Sequence, residues 1–476
     1  MRASAVLKNP VALSFFLCFA YWAYLLFAST PYIKYDAETF VALGISIYQN
    51  GFTEFFKAEP NYVPLYPLLI ATSLRIAEAF SLSYQCVQIA IQIAILLTTQ
   101  FLMLRILQAL NVRRSLIAVV VLYFGISPAM INSTFSLYSE IVTYPFVLWS
   151  VMAAVNSWQI AKEGSWPKMI LSGLGLILPF FLATMANAVF EYIFTFLLFS
   201  YFVLACGYFL KNKLSSFVRI VGWVAVVFFL FQAALLPYRS MNLKYNGHKS
   251  LVIKGAWSLY ANTQRRTENL TPRQFLVALA HVPGEGVCSK FFTDQECFFW
   301  SIEAQHGKGV RKLEELRAQG VPNDRMDSLL ISLSQKMAFQ KPLQYALLTL
   351  MEGAKMFFWE STRIGYVFYP AWLTEIYNVI ILKNGLRLLL FLLTLSAFIF
   401  LLCSVWQNKK DLYEANDLAK QCAYLFFLSI IMAVFISLHA FFCIATRYTF
   451  PIVSLYLISI AYTYDKILFK KSKNLL

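Results

Sequence analysis

The stretch VALSFFLCFAYWAYLLFASTPYIKYDAETFVALGISIYQNG, from Val11 to Gly51, sets two unlike features side by side. A run of roughly 20 apolar residues, enough for one helix to cross a bilayer, ends near Thr30. Asp36 and Glu38 then open a helical-looking segment that closes on Gly51. Acids are scarce in this chain, so a carboxylate just past a span needs a reason.

The rest of the 476 residues decides the class. With 59% hydrophobic, 17% aromatic and only 13% charged residues, and a mean hydropathy of +0.61, the chain reads as an integral membrane protein. Its apolar runs lack the two-residue alternation of an outer-membrane barrel, so the spans are α-helices. The N-terminal run has a basic end, but it is long for a signal peptide and lacks a small-residue cleavage site, which predicts a retained first helix. The net charge of +16 points to cytoplasmic loops and a lipid bilayer rather than to nucleic acid. Cys18, Cys86, Cys206, Cys403, Cys422 and Cys443 sit singly in apolar runs, whereas Cys288 and Cys297 share the long polar loop and are disulfide candidates in an oxidising compartment.

Ten spans are expected, at roughly 11–30, 84–105, 115–131, 140–160, 169–186, 188–210, 217–237, 386–406, 421–442 and 449–465. With the N-terminus inside, the inner loops carry Arg113 and Arg114, Lys162 and Lys168, Lys211 and Lys213, and Lys409 and Lys410, and the tail carries Lys466, Lys470, Lys471 and Lys473. Val63–Phe80 and Pro342–Trp359 are read as helices on the outer membrane surface, because counting the first as a span would invert the intervening loops. Three regions follow: a transmembrane domain over 1–237 with a first outer loop at 31–83, an outer loop subdomain over 238–380, and C-terminal spans over 381–476.

The outer side collects the chemistry-bearing residues. Asp36 is a candidate general base or a ligand for a divalent cation, and its bland alternative is a cap for the helix starting near Ala37. Glu38 falls on another helical face and is expected in solvent, and Glu54 and Glu59 follow among aromatics. Between Arg239 and Arg273 stand seven Lys or Arg and a single acid, Glu268, a surface suited to anionic headgroups or a lipid phosphate, or else a solvated face. His248, His281 and His306 are scattered and form no ligand pattern. Arg447 and Tyr448 occupy a short outer turn, and Glu140 begins the fourth span on the same side.

At these residues the chain resembles the GT-C membrane glycosyltransferases, above all the branch of dolichyl-phosphate-mannose protein mannosyltransferases and bacterial aminoarabinose transferases. DAETFVALGISIYQNG, PNYVPLYPLLIATSLRI, SLYSEIV, PYRSMNLKYNG, GAWSLYAN and TRYTFPI are similar to that family's motifs and stand in its order. The resemblance implies a GT-C fold and an inverting transfer of a sugar from a polyprenyl-phosphate donor to a lipid, glycan or protein acceptor, on the periplasmic face of a bacterial inner membrane or the luminal face of an endoplasmic reticulum. Asp36 would be the catalytic acid-base residue. Arg447, Arg239 and Lys244 would stabilise the leaving phosphate, with Tyr35, Tyr448 and Glu140 in the substrate pocket. Met241 and Asn187 depart from the family pattern, where it often has positive residues. The competing reading is a transporter or flippase of a lipid-linked sugar, but the middles of the spans are almost free of ionisable groups, which favours chemistry at the surface. An assembly subunit that keeps the fold without activity is a third reading.

Overall fold

In the computed structural model the opening stretch forms two separate helices, Pro10–Ala28 and Asp36–Asn50. The structure describes residues 9–58, 62–210, 213–252, 254–360, 366–414, 416–442 and 446–470. Glu59, Lys211, Cys443, Lys471 and Lys473 lie outside the described residues. Asn9 starts the first helix, its side chain accepting from the Val11 amide at 3.1 Å with Pro10 in the first position. After Ala28 the backbone extends, and Thr30–Pro31 pairs antiparallel with Val367–Phe368. This small ribbon, absent from the all-α expectation, ties the exit of the first helix to the segment before the helix Ala371–Asn378.

Among the described residues eight helices are long and apolar enough to cross a membrane: Pro10–Ala28, Tyr84–Ala109, Glu140–Lys162, Trp166–Ala186, Val189–Leu210, Leu214–Asn246, Ile380–Gln407 and Asp417–Phe442. Arg114–Ile126 and Pro128–Phe135 make a ninth if that pair, bent by 48°, is one span. The bend falls at Ser127, where the following proline disfavours helical backbone. The expected straight span over 115–131 is thus a broken one. The tenth expected span corresponds to Phe450–Lys470, a helix of 21 residues. Its tyrosines, Asp465 and Lys466 make it less apolar than the others, and its Ile452, Val453, Leu455 and Ile458 are fully buried. A helix enclosed by other helices needs less hydropathy than one bathed in lipid.

Small residues set the close contacts, as expected where helices pack without a hydrophobic driving force. A Cβ on Gly125 would lie 2.3 Å from Cys18 Sγ, and there Trp22 Nε1 donates to the Gly125 carbonyl at 2.7 Å. Polar pairs do the rest. Gln92 on Tyr84–Ala109 donates to the carbonyls of Thr134 and Ser136 at 2.5 and 3.0 Å and accepts from the Tyr66 hydroxyl at 2.8 Å. Gln88 accepts from Ser73 at 2.6 Å. These bonds fix the helix Leu65–Phe80 and the end of Pro128–Phe135 on one span.

Connections expected on one side of the membrane make contact with one another. Lys162 donates to the Glu414 carbonyl at 2.5 Å, Trp158 to that of Leu412 at 3.0 Å, and Arg113 lies 3.7 Å from Asp465. One boundary needs correction: the helix Leu214–Asn246 runs straight through Pro237 and ends at Gly247, whose φ is +73°, so the division at 237/238 falls inside a helix. The loop subdomain contains Lys254–Thr267, Pro272–Ala280, Ile302–Ala318, Asn323–Gln340 and Pro342–Ala354. The expected disulfide forms between Cys288 and Cys297, with Cα atoms 5.9 Å apart, under Val277, Trp300 and Leu348. The stretch Pro342–Trp359 is helical only to Phe357. Beyond it Glu360 is buried at the bend, accepting from Ser127 at 2.7 Å and the Ala129 amide at 2.9 Å.

The helix carrying Asp36 lies on Leu65–Phe80 at Gly44, where an added Cβ would sit 2.5 Å from Ile70 Cγ2 and 2.7 Å from its Cβ. Gly44→Ala is expected to cost about 1–3 kcal/mol through this overlap and to lower the thermal unfolding midpoint of the purified protein. An unchanged midpoint would contradict the packing.

Candidate functional site

Asp36 is the first residue of its helix, and Tyr35 before it has φ +57°, a backbone that residues with side chains rarely adopt. No side-chain cap closes this helix, so the capping reading of Asp36 does not hold. Its carboxylate instead accepts from the Tyr62 hydroxyl at 2.5 Å through Oδ1 and pairs with Arg447 through Oδ2. Arg447 Nε stands 3.5 Å from Glu140 Oε1, and its guanidinium lies over the Tyr138 ring at 4.6 Å. Tyr138 in turn donates to the Lys34 carbonyl at 3.1 Å and meets the Tyr366 ring at 4.8 Å.

Burial alone would disfavour the Arg447 charge, but Glu140, Tyr448 and Asp36 raise its pKa well above the ordinary value. The Tyr62 phenol is pushed far up, first by burial and then by Asp36, so it stays a proton donor to that carboxylate. Among the described residues two carboxylates share the Arg447 guanidinium, and this pairing orients Asp36.

Asp36, Tyr62, Tyr138, Glu140, Tyr366 and Arg447 line an open cavity of about 1480 Å³ between the helix ends and the loop subdomain. Tyr35, Asp36, Glu140, Arg239, Arg447 and Tyr448 line it, as does Asn187. Glu140 is on the cavity wall and is a counter-ion of Arg447. Arg239 is engaged by Glu191 and by Gln232, the latter at 2.7 Å. Lys244 is exposed, is not among the residues lining the cavity, and lies over the Tyr245 ring at 5.2 Å, which removes it from the expected phosphate contacts. Met241 packs against the core. Glu38 is exposed, as expected, and Glu54 pairs with Lys57 at 2.5 Å. Among the described residues no three His, Cys, Asp or Glu converge as a metal site, and Asp36 and Glu140 meet on a guanidinium instead.

Tyr62, Tyr138 and Tyr366 were not singled out from the sequence, because a tyrosine near a membrane surface looks like any aromatic-belt residue. A second polar cluster on the cavity wall was missed too. Glu352 accepts from Lys355 at 2.8 Å and lies 3.4 Å from Arg265, and His281 is beside them. Burial works against the Glu352 charge, but Lys355 and Arg265 outweigh it and hold the carboxyl well below its usual range. No model of a known protein family matches the chain, and no curated protein matches it.

His281 gives the cavity a pH signature. Burial, and then Lys355, lower its pKa from 6.5 to about 3, so the ring is neutral in the fold but takes a proton below about pH 6.5 once unfolded. Its stabilisation is complete above pH 6.5 and declines as the pH falls toward 3, by about 2 kcal/mol at pH 5. Glu352 adds its own loss only below the ordinary carboxylate value of 4.5. Thermal midpoints of wild type and His281→Gln are expected to differ in slope between pH 6.5 and 4.5, and equal slopes would refute this.

Proposed function

We propose that the chain is a GT-C-type membrane glycosyltransferase with ten spanning helices, the tenth being Phe450–Lys470, and with its cavity on the outer, periplasmic or luminal, face. The observation that carries this reading is a carboxylate, Asp36, held by Tyr62 and Arg447 at the edge of a cavity large enough for a sugar and its acceptor. The disulfide Cys288–Cys297 in the same subdomain supports an oxidising compartment. Two basic inner connections, at Lys162 and at Arg113, lie against other inner segments, which supports the orientation.

In the mechanism, an acceptor hydroxyl hydrogen-bonds to Asp36, which takes its proton as the oxygen attacks the anomeric carbon. The new C–O bond forms on the face opposite the old one, the bond to the phosphate oxygen breaks, and polyprenyl phosphate leaves with the bonding electrons. The configuration inverts through an oxocarbenium-like state. Arg447 keeps Asp36 aimed, and Tyr62 fixes which carboxylate oxygen faces the hydroxyl.

Free polyprenyl phosphate is released whatever the sugar, so it is the readout. In membranes supplied with a panel of polyprenyl-phosphate sugars, wild type should release it and Asp36→Asn, at equal protein level, should release it at least about 100-fold more slowly. Equal release would remove Asp36 from the chemistry. Export of the lipid-linked sugar without release by wild type would replace the enzyme with a transporter.

A further inference from the structure

A cavity of about 1480 Å³ exceeds the roughly 300–1,000 Å³ that serves a single small ligand. It also has a second polar centre. Arg265, His281, Lys355 and Arg387 all line it, and among the described residues Arg265 bonds to Ser301, Asn262 and Glu352, and Lys355 to Glu352. Arg265 and Lys355 share one carboxylate, Glu352, and Arg387 forms no ion pair among the described residues. These three cations and one carboxylate carry about two net positive charges on a wall that Glu285 and Glu303 also line.

Two details show that this cluster is unfinished. His281 is only 8% exposed, yet neither ring nitrogen has a hydrogen-bond partner among the described residues. Arg387 has a buried Nε without a partner among them, and its terminal nitrogens stand 3.0 and 3.2 Å from where a Cβ on Gly284 would be. Gly284, with φ +120°, leaves the guanidinium open to the cavity, and the adjoining Glu285 side chain is exposed. Buried donors without partners and an uncompensated cation are stabilised by an oxyanion.

We propose that Arg387, Lys355, Arg265 and His281 form a second anion subsite in this cavity, which holds a phosphate group on the acceptor while Asp36 faces the acceptor hydroxyl. Three of the four come from the loop subdomain rather than from the membrane-spanning helices. This places the seat on the part of the wall built from water-facing chain, which suits a water-exposed acceptor better than a lipid tail. The proposal rests on the transferase reading for the word acceptor, but the anion seat is measured without turnover.

The test uses the full-length protein in neutral detergent, at constant ionic strength with chloride. Inorganic phosphate, glucose 6-phosphate and a short-chain polyprenyl phosphate are titrated as separate probes, and saturable thermal stabilisation is read. The two soluble probes should stabilise wild type and Asp36→Asn alike, while Arg387→Gln weakens both about tenfold or more and leaves polyprenyl phosphate unchanged. Arg387→Lys should be intermediate, and His281→Asn should weaken the soluble probes if Arg387→Gln does not fold. The proposal is overturned by no saturable phosphate effect in wild type, by equal effects in wild type and both the Arg387→Gln and His281→Asn proteins, or by a loss confined to polyprenyl phosphate, which would make this the donor's seat. Because no sugar is transferred, a catalytically silent protein would still show the predicted binding.

Discussion

The pairing of Arg447 with Asp36 and Glu140 is the constraint on which the cavity wall depends. It joins residues 411 positions apart, bringing the start of Asp36–Asn50, the start of Glu140–Glu163 and the turn before the last helix to one point. A half-buried charge without a counter-ion is a costly arrangement, and here each charge has one. The aromatic faces of Tyr138 and Tyr448 shield the guanidinium, which limits competition from water.

Holding that point still requires a rigid floor, and the buried amides supply it. Gln88 and Gln92 bind hydroxyl groups on Leu65–Phe80 and carbonyls at the end of Pro128–Phe135, which opposes sliding of the helix following Tyr62 along Tyr84–Ala109. Glu360 does the same at the bend after Ile126. Fully satisfied buried polar networks of this type specify one arrangement more sharply than apolar packing does.

Much of this was legible in the sequence. Asp36, Glu140 and Arg447 were placed on one face because each follows or precedes an apolar run at the same end by parity, and Cys288 and Cys297 were paired by proximity in a polar loop. What was not legible has identifiable causes. The continuation of a helix through Pro237 and the bend at Pro128 show one residue type with two outcomes, decided by neighbouring packing rather than by local preference. Lys244 and Arg239 looked alike as loop cations, but they sit on a helix, where positions five apart point in different directions. Arg265, His281, Lys355 and Arg387 reach one cavity wall from four separate segments, and no local pattern announces that.

The account stands or falls on whether Asp36 and Arg447 are energetically joined in the membrane. A double-mutant cycle on Asp36→Asn and Arg447→Gln, read as unfolding free energy, measures that directly. The account predicts a coupling of at least about 1 kcal/mol, with the double variant more stable than the sum of the single losses implies, whereas additive losses would mean that the two side chains do not meet.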